Sequence, residues 1–498
     1  MAAPPTLRPD CVGAASSAVA LACLLALAPA PGGAIPATEA PAKRAVRLDD
    51  VPAPLRACLP GKGRSAAAFE RDVAALNRQT AERERDGEYD HLIFFLLQSR
   101  RFTNEPSIEP ARSAHEFLEA MDADERRRYL SGEGSDDYGP RVMRAVGRRI
   151  VDFERALAKG PRDSRLAYFR ELLEGDGASW PSLTERLVRE YARVMRFLYR
   201  KEFLSRNLQE PPALEAFLAG LYRERGHSTD TQVEANFGVH TALAVIRALR
   251  EPGPLDHVLV VGPGLDFAPR TDLQDLFEPA SYQPFAVADA LLSLGLSTPE
   301  RLRVHCVDIN PRVNAYLLGL SRERPTRLPL VAGVPERPER PFTADYREYF
   351  ERLGRSVGEV RPLSLPAAFG PRLHKALVVR AEITRRITAD RFDVVTERYD
   401  PPPRYDLVVV TNVFSYFDPA AQALAVSNLG SMLRPGGYLV HNEPQSALVS
   451  AAQAVGLPVV QGRTVLLASG AAPLFDRVLI HQKASCDVKE VGRAPSLR

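Results

Sequence analysis

Between residues 66 and 228, apolar side chains recur at i, i+3, i+4 and i+7, the spacing of an amphipathic helix. The pattern runs through "SAAAFERDVAALNRQTAERERD" (65–86), "PRVMRAVGRRIVDFERALAKG" (140–160) and "LTERLVREYARVMRFLYRKEFLSR" (183–206). "EYDHLIFFLLQSRRFT" (88–103) is more apolar and predicts a buried helix. Glu and Asp are interspersed with Arg, so the charges read as solvated faces and not as a nucleic-acid stripe. From 229 the texture changes. "TDTQVEANFGVHTALAVIRALR" (229–250) reads as one helix. Strand runs then alternate with helices: "HVLVVG" (257–262), "RVHCVD" (303–308), "RFDVVTE" (391–397), "YDLVVVTN" (405–412) and "GYLVHNE" (437–443). Runs apolar on both faces suit central strands of a parallel sheet, and the alternation suggests βαβ units. "TVLLAS" (464–469) and "DRVLIHQK" (476–483) are too close for a parallel crossover, so an antiparallel hairpin is expected. The predicted class is α/β: a Rossmann-like, doubly wound, seven-stranded, mostly parallel sheet with a C-terminal antiparallel hairpin, preceded by an all-α region. The expected division is a Pro/Ala-rich linker over 35–65, a helical domain over 66–228, the α/β domain over 229–486 and a flexible tail over 487–498.

Composition changes little in this picture. The 498 residues are 45% hydrophobic and 26% charged, with net charge +3, too near balance to argue for nucleic acid. None of the five cysteines makes a CxxC pair, so neither a metal site nor a disulfide framework is expected, and Cys306 reads as a core residue. The N-terminus is distinctive. "CVGAASSAVALACLLALAPAPGGA" (11–34) reads as a secretory signal peptide within a segment 1–34. An uncleaved membrane anchor is a second reading, because Lys43, Arg44 and Arg47 follow the apolar run. A miscalled start ahead of an Ala-rich segment is a third.

Candidate chemistry centres on "VLVVGPGLDF" (258–267), an apolar strand running into Gly262-Pro263-Gly264. Such a turn brings backbone N–H groups close to a nucleotide. A dinucleotide fingerprint requires a third glycine at 267, where Phe stands. It also places an acid about 20 residues past the glycines. Here the acid ending the second strand is Asp308, 46 residues beyond Gly262. Both features disfavour NAD.

The whole order resembles the class I S-adenosylmethionine-dependent methyltransferases over about 229–486. The resemblance is most specific in "YDLVVVTNVFSYFDPAAQALAVSNLGSMLRPGGYLVHNE" (405–443), with its aromatic-Asp strand opening and its "LRPGGYL" turn. "TNVFSYFD…LRPGGYLV" is similar both to chemotaxis-receptor glutamate methyltransferases and to small-molecule methyltransferases. The resemblance implies S-adenosyl-L-methionine as cofactor. It implies that Gly262, Gly264 and Asp266 form the turn, that Asp308 accepts from the ribose hydroxyls and Asp393 from the adenine amino group, and that Thr411 and Asn412 line the pocket. Val260 and Asp266 depart from the family's first motif, so a catalytically silent binding protein stays open as an alternative, with an NAD-dependent oxidoreductase behind it.

The acceptor is a small molecule or a protein, and "TNVF" in place of an "NPPY" type of sequence weakly disfavours nucleic-acid amines. His441, Glu443 and Tyr416 are the candidates for contact with it, each with an ordinary structural reading beside the functional one. His240 and Asp230 are placed to close over the cofactor. The signal-like segment points to export or membrane anchoring, whereas donor supply argues for a cytoplasm-facing enzyme, so an inward-facing anchored enzyme, a miscalled start and an exported protein with another role all stay open. Gly264→Val is expected to abolish cofactor binding while the domain stays folded.

Overall fold

The computed structural model describes residues 42–56, 59, 65–133, 144–160, 163–175, 183–208, 210–249, 253–265 and 272–484. The signal- or anchor-like run 11–34, Asp266 and the tail 487–498 lie outside the described residues. No described helix is long and apolar enough to cross a membrane.

The Val/Leu runs form one seven-stranded sheet. Its strands are β1 (His257–Val261), β2 (Arg303–Asp308), β3 (Ile387–Arg391), β4 (Tyr405–Val410), β5 (Leu433–His441), β6 (Val459–Ala468) and β7 (Leu474–Gln482), in the order β6-β7-β5-β4-β1-β2-β3. β1 to β5 are parallel, while β7 runs antiparallel to both β5 and β6. Successive side chains point to opposite faces of a strand. Val258 and Val260 of β1 and Leu407 and Val409 of β4 therefore enter one core, and Leu259, Val261, Val408 and Val410 enter the other. Every residue of β4 is buried. Helices Ala235–Leu249 and Gln283–Ser293 cover the first face, and Pro419–Met432 and Ser446–Ala454 the second.

Chain order leaves β1 with β2 and β3 on one side and β4 and β5 on the other. A crevice opens at such a reversal, outside the carboxyl ends of the strands. Two boundaries and one whole sheet differ from the sequence reading. The third strand is "ITADR" (387–391), pairing with β2 from Val304↔Ile387 onward, and not "RFDVVTE". Residues 392–396 turn instead, with Asp393 accepting from the Val395 N–H at 2.8 Å. The helix read over 229–250 begins at Ala235, because 229–232 run extended over the glycine turn. A three-stranded antiparallel sheet, Thr326–Val331, Gly358–Arg361 and His374–Val379, is inserted between β2 and β3, where no strands were foreseen.

The two helices read over 65–86 and 88–103 are one, Ala66–Gln98, capped by Ser65. Its second half is buried in the separate core of the helical region. Not every charge there is a solvated face: Arg149 is 0% exposed. It donates to the carbonyls of Leu96 (2.6 Å), Glu105 (2.8 Å), Pro106 (2.9 Å) and Ser99. Those carbonyls lie where the long helix ends and the chain turns back. Burial pushes the guanidinium down to about 10.

Candidate functional site

The glycine turn follows β1. Gly262 and Gly264 both sit at φ +64, a backbone region open to glycine at little cost. A Cβ on Gly262 would lie 2.7 Å from a methyl of Val413, past the end of β4. A Cβ on Gly264 would lie 2.6 Å from the Thr229 carbonyl oxygen, which already accepts from the Leu265 N–H at 2.6 Å. The closest neighbour of Gly264 is therefore the protein's own strap, residues 226–230. The same strap touches the long helix at two glycines. A Cβ on Gly226 would fall 2.3 Å from the Gly87 nitrogen, and one on Gly87 1.8 Å from the His227 oxygen. The strap is thus held between the helical region and the turn.

Asp308 ends β2 and is 8% exposed. It accepts from the Asn310 N–H at 2.9 Å. Asn310, and not Asp308, caps the next helix, Pro311–Gly319, accepting from the Arg312 N–H at 2.9 Å. Burial raises the Asp308 carboxyl to about 6, with Glu88 of the long helix adding to the rise. Glu88 reaches down to accept from Asn310 Nδ2 and Arg312 Nη1, both at 2.6 Å, and from the Tyr168 hydroxyl at 2.5 Å. One turn earlier, burial pushes Glu84 up to about 7. The long helix thus roofs the carboxyl ends of β2 and β3, a placement no sequence signal announced.

Asp393, just past β3, is 5% exposed. Its Oδ1 holds the local turn, and its Oδ2 has no hydrogen-bond partner among the described residues. Thr411, at the end of β4, meets Gln283, whose amide nitrogen lies 2.7 Å from the threonine hydroxyl. Gln283 is 3% exposed and its Oε1 has no hydrogen-bond partner among the described residues. It is the first residue of its helix. Sequence reasoning passed over it, and a lone Gln before Pro284 carries no motif.

The loop after β4 is held from β5. Glu443 accepts from the N–H groups of Val413 (3.2 Å), Phe414 (2.9 Å) and Ser415 (2.5 Å). Burial pushes its carboxyl up, and the Ser415 and Phe414 N–H groups pull it back. Asn442 exchanges two 2.9 Å hydrogen bonds with Asn412. Tyr416, on the same loop, packs against His227 and Tyr222, and Arg83 donates to its carbonyl at 2.8 Å. Burial pushes its hydroxyl up to about 12, so it keeps its proton at neutral pH. A cavity of ≈ 330 Å³ lies beside it, bordered by Arg83, His227, Val395 and Asp418. Asp230 stands 3.4 Å from His91 and 3.7 Å from Arg225, while the His240 ring packs tilted against Tyr349 at 5.2 Å.

His441 is 0% exposed, with Nε2 2.8 Å from Nε2 of His481 on β7. The partners fix the tautomers. The Glu443 N–H points at Nδ1 of His441, so that ring carries its proton on Nε2. Nδ1 of His481 lies 2.7 Å from the Leu457 carbonyl and must be the donor there, leaving Nε2 to accept. Burial pushes His441 down to about 3 and lowers His481 as well. A histidine with a lowered folded pKa contributes stability above its unfolded pKa near 6.5 and loses it as the pH falls below. His441 is expected to cost about 2 kcal/mol between pH 6.5 and 5, and His481 acts in the same direction. Melting curves over that range should show a shallower acid slope in His481→Gln than in the wild type; equal slopes would remove the pair as the cause.

Residues 367–451, a minority of the chain, match the family described as "CheR methyltransferase, SAM binding domain". No curated protein matches. Among solved structures, the chain is similar to the N-methyltransferase NodS of Bradyrhizobium japonicum WM9 bound to S-adenosyl-L-homocysteine, at 15% identity over 49% of this chain and 85% of that one, TM-score 0.24. It is also similar to magnesium protoporphyrin IX methyltransferase of Synechocystis PCC 6803 with bound SAM, at 10% identity over 54% and 97%, TM-score 0.26.

Proposed function

We propose that this chain, a class I S-adenosylmethionine-dependent methyltransferase, binds its cofactor in the crevice between β1 and β4 and methylates an acceptor presented beside the loop that follows β4. The observation that carries the reading is placement. The glycine turn, Asp308, Asp393 and Thr411 stand at the carboxyl ends of four neighbouring strands, β1 to β4, along the edge that includes the point where strand order reverses. The residues fit the cofactor. Asp308 would take the ribose hydroxyls, and the orphaned Oδ2 of Asp393 suits an adenine amino donor. The orphaned Oε1 of Gln283 and the Thr411–Asn412 edge would face the amino-acid end. Gly262 packs against Val413 and Gly264 against the Thr229 carbonyl, which sets the turn beside the β4 edge and under the strap.

Bound there, the cofactor supplies a methyl group on a sulfonium, a leaving group that needs no further activation. The protein then has to align the acceptor and exclude water. Glu443 and Asn442 do the first by fixing residues 412–415, and the roof helix and the strap do the second. Titration calorimetry on the full chain should give heat of binding with S-adenosylmethionine and S-adenosylhomocysteine and none with NAD. Silence with both sulfur ligands would reject the assignment, and binding of NAD alone would favour the oxidoreductase reading.

A further inference from the structure

We propose that Asp476 is the acid that recognises the methyl acceptor, and that the acceptor presents an amine nitrogen. The inference rests on the methyltransferase reading and deepens it. Asp476 is the third residue of β7. Because β7 is antiparallel to β5, its start lies at the end of the sheet where the parallel strands finish. There the Asn442 amide nitrogen lies 3.5 and 3.4 Å from the two Asp476 carboxylate oxygens, and 2.9 Å from Oδ1 of Asn412. Three polar side chains thus run in a line across the outlets of β4, β5 and β7.

Two features mark this line as more than surface. Asn412 is held at φ +56, the only non-glycine residue with positive φ among the described residues. Such strain costs about 1–3 kcal/mol and persists where the surroundings enforce it. Its reciprocal bonds with Asn442 are what enforce it. The second feature is Asp476 itself. It is half-buried, and its hydrogen bonds are to the Asn442 amide and the Arg477 N–H, with no ion pair among the described residues. The helix Ala235–Leu249 passes it with Gly238, where even a Cβ would come within 3.6 Å of Oδ2. Bare helix backbone therefore adjoins a carboxylate that has no ion-pair partner among the described residues.

Burying a charge is costly until it is paired. An amine fits that need: as the free base it donates N–H groups to the carboxylate while its lone pair takes the methyl group. The methyl–sulfur bond breaks to release neutral S-adenosylhomocysteine, and the proton of the resulting ammonium passes to the carboxylate or to solvent. A carboxylate acceptor would meet like charge instead.

The test uses two analogues of the cofactor with nitrogen in place of sulfur. One carries an aminoethyl arm where the methyl group would be, the other a carboxymethyl arm. Calorimetry on the full chain should show the aminoethyl analogue binding at least about tenfold more tightly than the carboxymethyl one. Asp476→Asn should erase that preference while S-adenosylhomocysteine affinity and melting temperature hold. Equal or tighter binding of the carboxymethyl analogue overturns the proposal, as does a preference that survives in Asp476→Asn. If S-adenosylhomocysteine itself fails to bind the wild type, the methyltransferase reading falls first and takes this inference with it.

Discussion

Gly264→Ala is expected to lose cofactor binding and stability together. The glycine sits at φ +64, which costs an alanine about 1–2 kcal/mol. The new Cβ would lie 2.6 Å from the Thr229 oxygen, a backbone atom that cannot swing away as a side-chain tip can. Forcing it back costs roughly 1–3 kcal/mol more. The strap then has to leave the turn, and it is wedged on its far side against Gly87. The sequence reading expected a folded domain that merely failed to bind. The structure puts the protein's own backbone where the ligand was thought to be the closest neighbour. Melting curves and S-adenosylhomocysteine titration on the same sample decide between them: a lost affinity beside an unchanged melting temperature would restore the simpler view, and unchanged affinity would leave the turn with no cofactor role.

Asp308 variants should separate function from stability. With its carboxyl raised to about 6 from 3.8, Asp308 favours its protonated form in the fold. Its contribution is therefore fully present below pH 4 and is lost as the pH rises through 6. At pH 8 the buried ionised carboxylate costs the free protein about 2–3 kcal/mol. Asp308→Asn keeps one oxygen for the Asn310 N–H and carries no charge. It should melt higher than the wild type at pH 8, by the equivalent of about 1–2 kcal/mol, and the gain should vanish near pH 4.5. Cofactor affinity should fall at least about tenfold in the same variant, since hydrogen bonds to a charged acceptor contribute roughly 1.5–3 kcal/mol each. Asp308→Ala should lose more. An asparagine variant that binds normally, or that melts lower at pH 8, would show a carboxylate kept for the turn and not for the ribose.

What the sequence by itself determined is what local pattern can carry. The Val/Leu runs could be read because a strand buried on both faces is apolar at every position, and the glycine turn because residues with φ > 0 are few in kind. The acid ending "RVHCVD" and the "TNVF" edge followed from where those strands stop. Each of these depends on residues within a dozen positions of one another. Tertiary structure decided the rest. Glu88 and Asp308 are 220 residues apart, and nothing in "EYDHLIFFLLQ" says that its first residue will look down on a strand end. The two glycines that let the long helix and the strap touch, Gly87 and Gly226, are unremarkable in their own segments. His441 offered itself as a reactive group, and became half of a neutral pair only when β7 brought His481 beside it. Glu443 read as a helix-flanking acid, and is a clamp because three N–H groups past β4 turn toward it. Period and turn chemistry are properties of a short window of chain. The partner of a buried charge is chosen by how the windows pack, and that choice is made only in three dimensions.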